Sequence, residues 1–177
     1  MRKRINHWEL IGFGFVCLTG TAGHFLYDWS GGNRFVGALF AVNESTWEHM
    51  KLLFTACFLF CLIECFSLAR EIENFLSAKA AGILAGLIAI PTVFYTLRGC
   101  FGTLPDWMNI SIFFLAAAIA FFVSATVMKR GLFWGGVWQG VGFLLLWALL
   151  FAFIRFTFSP PQLPLFQDPL TLAYGID

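Results

Sequence analysis

The chain has 177 residues, of which 59% are hydrophobic and 12% are charged, and its formal net charge at pH 7 is +1. Soluble domains carry about 25% charged residues, so this composition excludes an ordinary soluble protein and indicates an integral membrane protein. The chain has no clustered basic face, which argues against a nucleic-acid partner. Membrane lipid is the expected partner, and the sequence predicts no particular oligomeric state.

Five apolar segments have about the 20 residues that a helix needs to cross a hydrocarbon core of about 30 Å. They lie at about 8–27, 49–69, 78–97, 107–128 and 132–157, and their ends are marked by Gly, Asn, Pro or charged residues. The segment 34–42 is too short to span and is expected to lie in the interface or to re-enter. The sequence therefore predicts an all-α membrane protein, a five-span helical bundle that forms a single domain over residues 1–177.

The distribution of basic residues predicts the orientation of the bundle. Seven Lys and Arg residues flank the spans on the side of the N-terminus and four flank them on the other side. Because cytoplasmic loops carry an excess of Lys and Arg, we expect the N-terminus inside and the C-terminus outside. The segment 28–48, the loop 98–106 and the tail 158–177 would then share the extracytoplasmic face, with the tail packed against it.

Small residues and cysteines are interpreted as packing residues. Ala78, Gly82 and Gly86 in the third span, and Gly136 and Gly140 in the fifth, have the spacing that lets membrane helices approach closely, either within the bundle or at an oligomer interface. The five cysteines are odd in number and include no Cys-x-x-Cys pair, which argues against a full disulfide set and against a thioredoxin-type or zinc motif.

The polar block from His24 to Lys51 lies between two apolar spans and contains two of the three histidines and three of the ten acidic residues. Ionisable groups near a bilayer cost free energy, so such a block is a candidate functional site. His24 and Asp28 are four residues apart and share one helix face, which Tyr27 borders. Glu44, Glu48 and Lys51 form a second stripe after a Gly-rich turn. The two stripes are expected to lie close together.

Four interpretations of this block remain open. Ser45 and Glu48 fit a capping box at the start of the second span. Imidazole and carboxylate groups could hold a divalent metal such as Zn, Mn or Fe, with ligands among His24, Asp28, Glu44, Glu48 and His49. A closed ion-pair network would join Asp28 or Glu48 to a basic residue, namely Arg34, Lys51 or Arg98.

The fourth interpretation is a binding or catalytic site for a small molecule or lipid headgroup, in which a histidine and a carboxylate act as base and orienting group. Its candidate catalytic residues are His24, Asp28, Glu44, Glu48 and His49. Its candidate ligand-binding residues are Tyr27, Asn33, Asn43, Lys51, Arg98, Asp168 and Tyr174.

Three motifs resemble an uncharacterised family of small bacterial multi-pass membrane proteins over nearly the whole chain. They are HFxYxxSGxN from His24, VNESxWEHxKL from Val42, and LFxDP followed by YGI from Leu165. The resemblance implies a bacterial cytoplasmic (inner) membrane location and supplies no substrate. The His and Asp residues also invite comparison with membrane hydrolases such as alkaline ceramidases, but this chain has five predicted spans instead of seven and no late His-x-x-x-His pair.

The leading functional hypothesis is a membrane-embedded enzyme that acts on a lipid or lipid-linked substrate from the extracytoplasmic side. The alternatives are a small-solute transporter or transport subunit, and a non-catalytic scaffold. A transporter needs polar groups on both sides of the membrane midplane, whereas the polar residues of this sequence concentrate on one side.

Overall fold

The computed structural model of the chain describes residues 1–176 and contains six helices over that range. Five of them are long and apolar enough to cross a membrane, which confirms the prediction of an all-α protein with five spans. The long helices are α1 (Arg2–Trp29), α3 (Thr46–Leu68), α4 (Phe75–Phe101), α5 (Asp106–Arg130) and α6 (Gly136–Phe158). The short helix α2 (Arg34–Leu39) lies between α1 and α3.

Successive long helices run in opposite directions through the bundle. The start of α1 therefore meets the connection after α3, where Arg4 forms an ion pair with Glu71. We call this end the N-terminal face. The end of α1 meets the start of α3 at the opposite end, where α6 also finishes, and we call that end the C-terminal face. Both names describe the bundle and leave the side of the membrane as a prediction.

Helix α3 lies at the centre of the bundle and packs against α1, α4, α5 and α6. Most of its side chains are apolar, and Leu53 and Phe54 are completely buried. A predominantly apolar helix of this kind is typical of a protein core or a membrane span. Cys57 and Cys61 contribute to this core as free, buried thiols, as their helical spacing predicts.

Helices α4 and α5 approach most closely at the two glycines of α4. A Cβ added at Gly82 would lie 2.4 Å from the carbonyl oxygen of Ala120, and one added at Gly86 would lie 2.9 Å from that of Ala116. The predicted role of these glycines in close helix packing is therefore seen directly.

The glycines of α6 behave differently from the prediction. A Cβ at Gly136 or Gly140 would meet no atom within 4 Å, so within this chain neither residue permits a close helix approach. Gly142 does so instead, since a Cβ there would lie 2.8 Å from the carbonyl oxygen of Leu76 in α4. The spacing rule identified the right helix but the wrong face, because it does not say which side of α6 meets α4.

The tail after α6 folds back onto the C-terminal face. The backbone N–H of Trp47 donates to the carbonyl oxygen of Leu165 at 3.0 Å, and that of Ile176 donates to Thr157 at 3.2 Å. Phe166 is 6% exposed and packs its ring against Trp47, with 4.7 Å between ring centroids. These contacts attach the tail to the starting turns of α3 and the end of α6.

Candidate functional site

Three side chains from the polar block meet at the C-terminal face. Nε2 of His24 lies 3.3 Å from Oε1 of Glu44, and Nε2 of His49 lies 3.7 Å from Oε2 of the same carboxylate. One potential ligand atom from each residue falls within 4.8 Å of the other two. We call these three residues the His–Glu–His cluster. The structure thus brings together three of the residues that the sequence analysis proposed as metal ligands or catalytic groups.

Local structure on each side of Glu44 positions this cluster. The side chain of Asn43 accepts a hydrogen bond from the backbone N–H of Ser45 at 3.0 Å. Ser45 in turn caps α3 by accepting from the N–H of Glu48 at 3.3 Å. Glu44 therefore lies in a short connection whose two neighbours are both fixed, and His49 projects from the first turn of the capped helix. His24 reaches the same point from the last turns of α1.

The His–Glu–His cluster is only partly shielded from solvent. The side chains of His24, His49 and Glu44 are 29%, 23% and 38% exposed. The pKa of Glu44 is lowered from its ordinary value, chiefly by its hydrogen bond with His24, against the opposing effect of partial burial. Glu44 is therefore an ionised carboxylate at neutral pH, which is the form that a cation or a protonated histidine attracts.

The hydrogen bond of Nδ1 of His49 fixes the tautomer of the ring and therefore the role of Nε2. Nδ1 of His49 lies 2.9 Å from the carbonyl oxygen of Ser45. A carbonyl oxygen can only accept, so Nδ1 carries a hydrogen and, in the neutral ring, Nε2 presents a lone pair. That lone pair faces the Glu44 carboxylate. A cation lying between the two groups would stabilise this arrangement.

A cavity of about 280 Å³ adjoins the cluster and includes Glu44 and His49 in its wall. It lies between the ends of α3, α4 and α5 and is bordered by the tail. Oδ1 of Asn109 in α5 is buried without a hydrogen-bond partner in the described chain. The remaining wall residues are Thr46, Ile90, Phe94, Arg98, Thr103, Leu104, Asp106, Ile112, Phe113, Pro169 and Leu170.

Glu48 and Asp28 do not join the His–Glu–His cluster, which corrects part of the predicted ligand set. Glu48 is 2% exposed and forms an ion pair with Lys51, with 2.5 Å between Oε2 and Nζ. Its Oε2 also accepts from the backbone N–H of Val42 at 3.1 Å. Asp28 is exposed, and no ion pair of Asp28 occurs within residues 1–176. Glu48 points away because burial next to Lys51 satisfies its charge.

The capping interpretation thus holds for Ser45, and the ion-pair interpretation holds for Glu48. Ser45 accepts from the N–H of Glu48, as a capping box requires, but the Glu48 carboxylate does not return to Ser45. The N–H of Ser45 is instead bound by Asn43. The carboxylate is engaged by Lys51, as the predicted ion-pair network proposed.

Most of the residues proposed as ligand-binding have structural partners instead. Asn33 caps α2 by accepting from Phe35 at 2.9 Å, and the amide of Asn43 also donates to the carbonyl oxygen of Gly175 at 3.3 Å. Asp168 is buried and accepts from the N–H of Leu170 at 2.8 Å.

Tyr27, Tyr174 and Arg98 complete the set of proposed ligand-binding residues. The ring of Tyr27 packs close to Gly37. Tyr174 forms an isolated bridge with Gln167 in the tail. Only Arg98 lines the cavity, with its guanidinium 5.8 Å from the centroid of the Phe94 ring.

The sequence analysis missed a second group of charged residues in the half of the bundle nearer the N-terminal face. Glu9 of α1, Glu64 of α3 and Lys79 of α4 meet there and are all 5% exposed or less. We call these three residues the buried triad. Each is a charged residue inside or beside an apolar span, and this position is the sequence feature from which the triad could have been predicted. Antiparallel helices also place a residue near the start of α1 beside one near the end of α3.

Comparison with known proteins gives a family and no relative of known activity. No curated protein and no solved structure matches the chain. A family model described as a family of unknown function, DUF6512, matches residues 1–176, which agrees with the resemblance found in the sequence motifs. The chain therefore belongs to the DUF6512 family of membrane-embedded helical proteins, whose function is unknown.

Proposed function

We propose that this protein is a metal-dependent enzyme of the membrane, which hydrolyses a lipid or lipid-linked substrate at the His–Glu–His cluster. One observation carries the proposal: ligand atoms of two imidazoles and one carboxylate lie within 4.8 Å of one another beside a cavity of about 280 Å³. Two histidines and one glutamate are a ligand set of catalytic zinc sites, in which the fourth position stays open for water or substrate.

The spacing of the three groups suits a divalent ion. Ligand atoms on a tetrahedral zinc lie about 3.3 Å apart, because each is about 2.0–2.1 Å from the ion. The two contacts of Glu44 with the histidines are 3.3 and 3.7 Å long and end on different oxygens of its carboxylate. One ligand atom from each of the three residues lies within 4.8 Å of the other two, so side-chain rotations that shorten these separations would close the set around an ion.

The hydrogen bond of His49 also suits metal binding. Histidine ligands commonly donate their other ring N–H to a backbone carbonyl or a carboxylate, which fixes the tautomer and the ring orientation. The donation from Nδ1 of His49 to Ser45 is such a bond, and it leaves Nε2 free to bind an ion. When bound, the ion would supply a water of lowered pKa as the nucleophile.

The cavity favours an amphiphilic substrate. Ile90, Phe94 and Phe113 give it apolar walls that suit a hydrocarbon chain. Arg98 offers a planar group for a phosphate or carboxylate, and the unpartnered Oδ1 of Asn109 offers an acceptor for a hydroxyl or amide N–H. An apolar wall with a few convergent polar groups is the usual character of a ligand site, and here it matches a lipid with a polar headgroup.

A transporter or transport subunit is the second candidate, and the buried triad favours it. The chain places polar and charged groups near both faces of the bundle, since the buried triad lies towards the N-terminal face and the partly exposed His–Glu–His cluster lies at the other. Polar groups on both sides of the midplane are expected of a transport path. A non-catalytic scaffold would need neither a metal nor a substrate.

Metal binding by the purified full-length protein tests the proposal. In detergent or lipid nanodiscs we expect about one Zn²⁺ per chain, measured by elemental analysis and by calorimetric titration. His24→Ala, Glu44→Gln and His49→Ala should each weaken binding at least about tenfold, the loss that even an outer-shell change can cause. His7→Ala, which removes the remaining histidine, and Asp28→Asn are the matched controls and should bind like the parent.

Turnover separates an enzyme from a metal-binding scaffold. The zinc-loaded protein should release new products from a bacterial polar lipid extract, detected by mass spectrometry, and His49→Ala should abolish the release. Zinc binding that persists in all three cluster variants would refute the metal site. A metal-loaded protein that leaves every lipid intact would refute lipid hydrolysis and favour transport or a scaffold.

A further inference from the structure

The buried triad carries more negative than positive charge. Nζ of Lys79 lies 2.5 Å from Oε1 of Glu9 and also forms an ion pair with Oε2 of Glu64. Two ionised carboxylates against one ammonium leave a net charge of −1 in a part of the bundle where all three side chains are nearly inaccessible. An uncompensated charge in such a place is strongly disfavoured, so a further positive charge is needed.

No other helix forms an ion pair with the triad within residues 1–176. The remaining hydrogen-bond partner of Glu9 there is the neutral hydroxyl of Ser124 in α5. Helix α3 adds the thiols of Cys57 and Cys61. Lys129 of α5 lies more than one turn beyond Ser124, and its charge acts on Glu9 without forming an ion pair with the triad.

Charged residues of the other nearby elements either bind other groups or lie at the opposite face of the bundle. Arg4 is paired with Glu71, and Glu73 accepts from the Trp134 indole. The only charged residue of α6 is Arg155, in the last turn of that helix and so at the C-terminal face.

The two carboxylates of the triad differ in the hydrogen bonds that they accept. Oε1 of Glu9 accepts from Lys79 and from the hydroxyl of Ser124, the latter at 3.0 Å. Neither oxygen of Glu64 accepts a hydrogen bond of good geometry, although Glu64 is completely buried and one oxygen touches Lys79 in the ion pair. Oε2 of Glu9 is also buried without a donor among residues 1–176. The triad therefore lacks a hydrogen-bond donor as well as a positive charge.

We propose that Glu64 binds a proton, so that the triad at neutral pH consists of Glu9 carboxylate, Lys79 ammonium and Glu64 carboxylic acid. A single proton taken up from the aqueous phase supplies both the missing charge and a donor. One O–H bond of hydronium breaks, the O–H bond of the Glu64 carboxylic acid forms, and a neutral water molecule is released. Glu64 rather than Glu9 takes the proton because hydrogen bonds to a carboxylate favour its ionised form, and Glu9 has them.

The small cavity beside the triad offers a metal cation no carboxylate ligand, because neither Glu9 nor Glu64 lies in its wall. A cavity of about 10 Å³ adjoins Lys79 and Ser124, which is room for about one water molecule. Lys79 already occupies the position between the two carboxylates. The triad is thus a proton-binding site in the membrane, the kind of group from which proton relays are built. This inference does not depend on the metal site or on lipid hydrolysis.

Infrared spectroscopy of the full-length protein in lipid tests the proposal. Protonated carboxyl groups have a C=O band distinct from that of carboxylates. We expect such a band to persist at a pH of about 7, well above the ordinary Glu pKa of about 4.3, and to be absent from Glu64→Gln. Glu73→Gln, which removes a carboxyl group outside the triad, is the matched control and should keep the band.

A second variant tests the same proposal if Glu64→Gln does not fold. Glu9→Gln removes the competing negative charge, so Glu64 should then ionise against Lys79 and its band should disappear at lower pH than in the parent. Absence of a band that depends on Glu64 would overturn the proposal, and so would a band that is lost only in Glu9→Gln. So would a melting temperature that rises with Na⁺ in the parent and not in Glu64→Gln, because the missing charge would then be a metal cation.

Discussion

Nζ of Lys51 lies 2.5 Å from Oε2 of Glu48, one turn earlier on α3, and both side chains are 2% exposed or less. The same ammonium group donates to the carbonyl oxygen of Gly37 at 2.8 Å and to the hydroxyl of Thr157 at 2.7 Å. A lysine has three donors, so all three are used. Unlike the buried triad, this pair balances its charge, and it joins α3 to α2 and α6.

Replacing Lys51 by methionine should destabilise the fold strongly. The change leaves Glu48 buried without its counter-charge, which typically costs about 3–5 kcal/mol in the free energy of unfolding. Denaturant titration in micelles would measure it, with the exposed Lys3→Met as the control. The double variant Glu48→Gln with Lys51→Met should recover part of the loss. A change below about 1 kcal/mol for Lys51→Met would show that the pair is solvated.

Glycine at the α4–α5 contact should not tolerate even a methyl group. In Gly82→Ala the new Cβ would lie 2.4 Å from a backbone oxygen, so the helices must separate, and overpacking of this kind typically costs about 1–3 kcal/mol. Gly140→Ala is the matched control, because its Cβ meets open space and alanine favours a helix by about 0.5–1 kcal/mol. Equal melting temperatures for the two variants would contradict the close contact.

The lowered pKa of Glu44 predicts a pH-dependent difference between the parent and Glu44→Gln. A carboxyl group whose folded pKa is below its unfolded value of about 4.3 stabilises the fold at higher pH. With a chelator present, the parent should therefore melt at a higher temperature than the variant at neutral pH. The difference should shrink as the pH falls below about 4.3 and through the lowered pKa. A difference that grows on acidification would mean that Glu44 is not held as a carboxylate.

The native thiol at the end of α4 can report the orientation in the membrane. Cys100 is exposed at the C-terminal face, and the seven-to-four bias of basic residues predicts that this face is extracytoplasmic. A membrane-impermeant thiol reagent should therefore label intact cells, and Cys100→Ser should abolish the labelling. A reporter fused to the C-terminus should be active outside the cytoplasm. Labelling only after permeabilisation would reverse the predicted orientation.

The sequence by itself determined the class of protein and the number of spans. Segments of about 20 apolar residues can cross a membrane only as helices, because no water is present to satisfy the backbone, and this makes each span visible locally. The cap at Ser45 was also predictable, since a cap depends on residues within one turn. The glycines of α4 were also recognised as packing residues. The contacting glycine of α6, Gly142, was not, because residue spacing does not say which face of a helix meets its neighbour.

Only the tertiary structure decided which polar groups meet. His24 and Asp28 share a helix face in the sequence, yet His24 joins Glu44 and His49 while Asp28 faces solvent. Whether Glu48 turns towards the histidines or towards Lys51 depends on α6, which supplies Thr157 more than 100 residues away. The buried triad likewise needs three helices. Helix rotation and neighbour choice are set by packing across the whole bundle, and no local pattern in the chain encodes them.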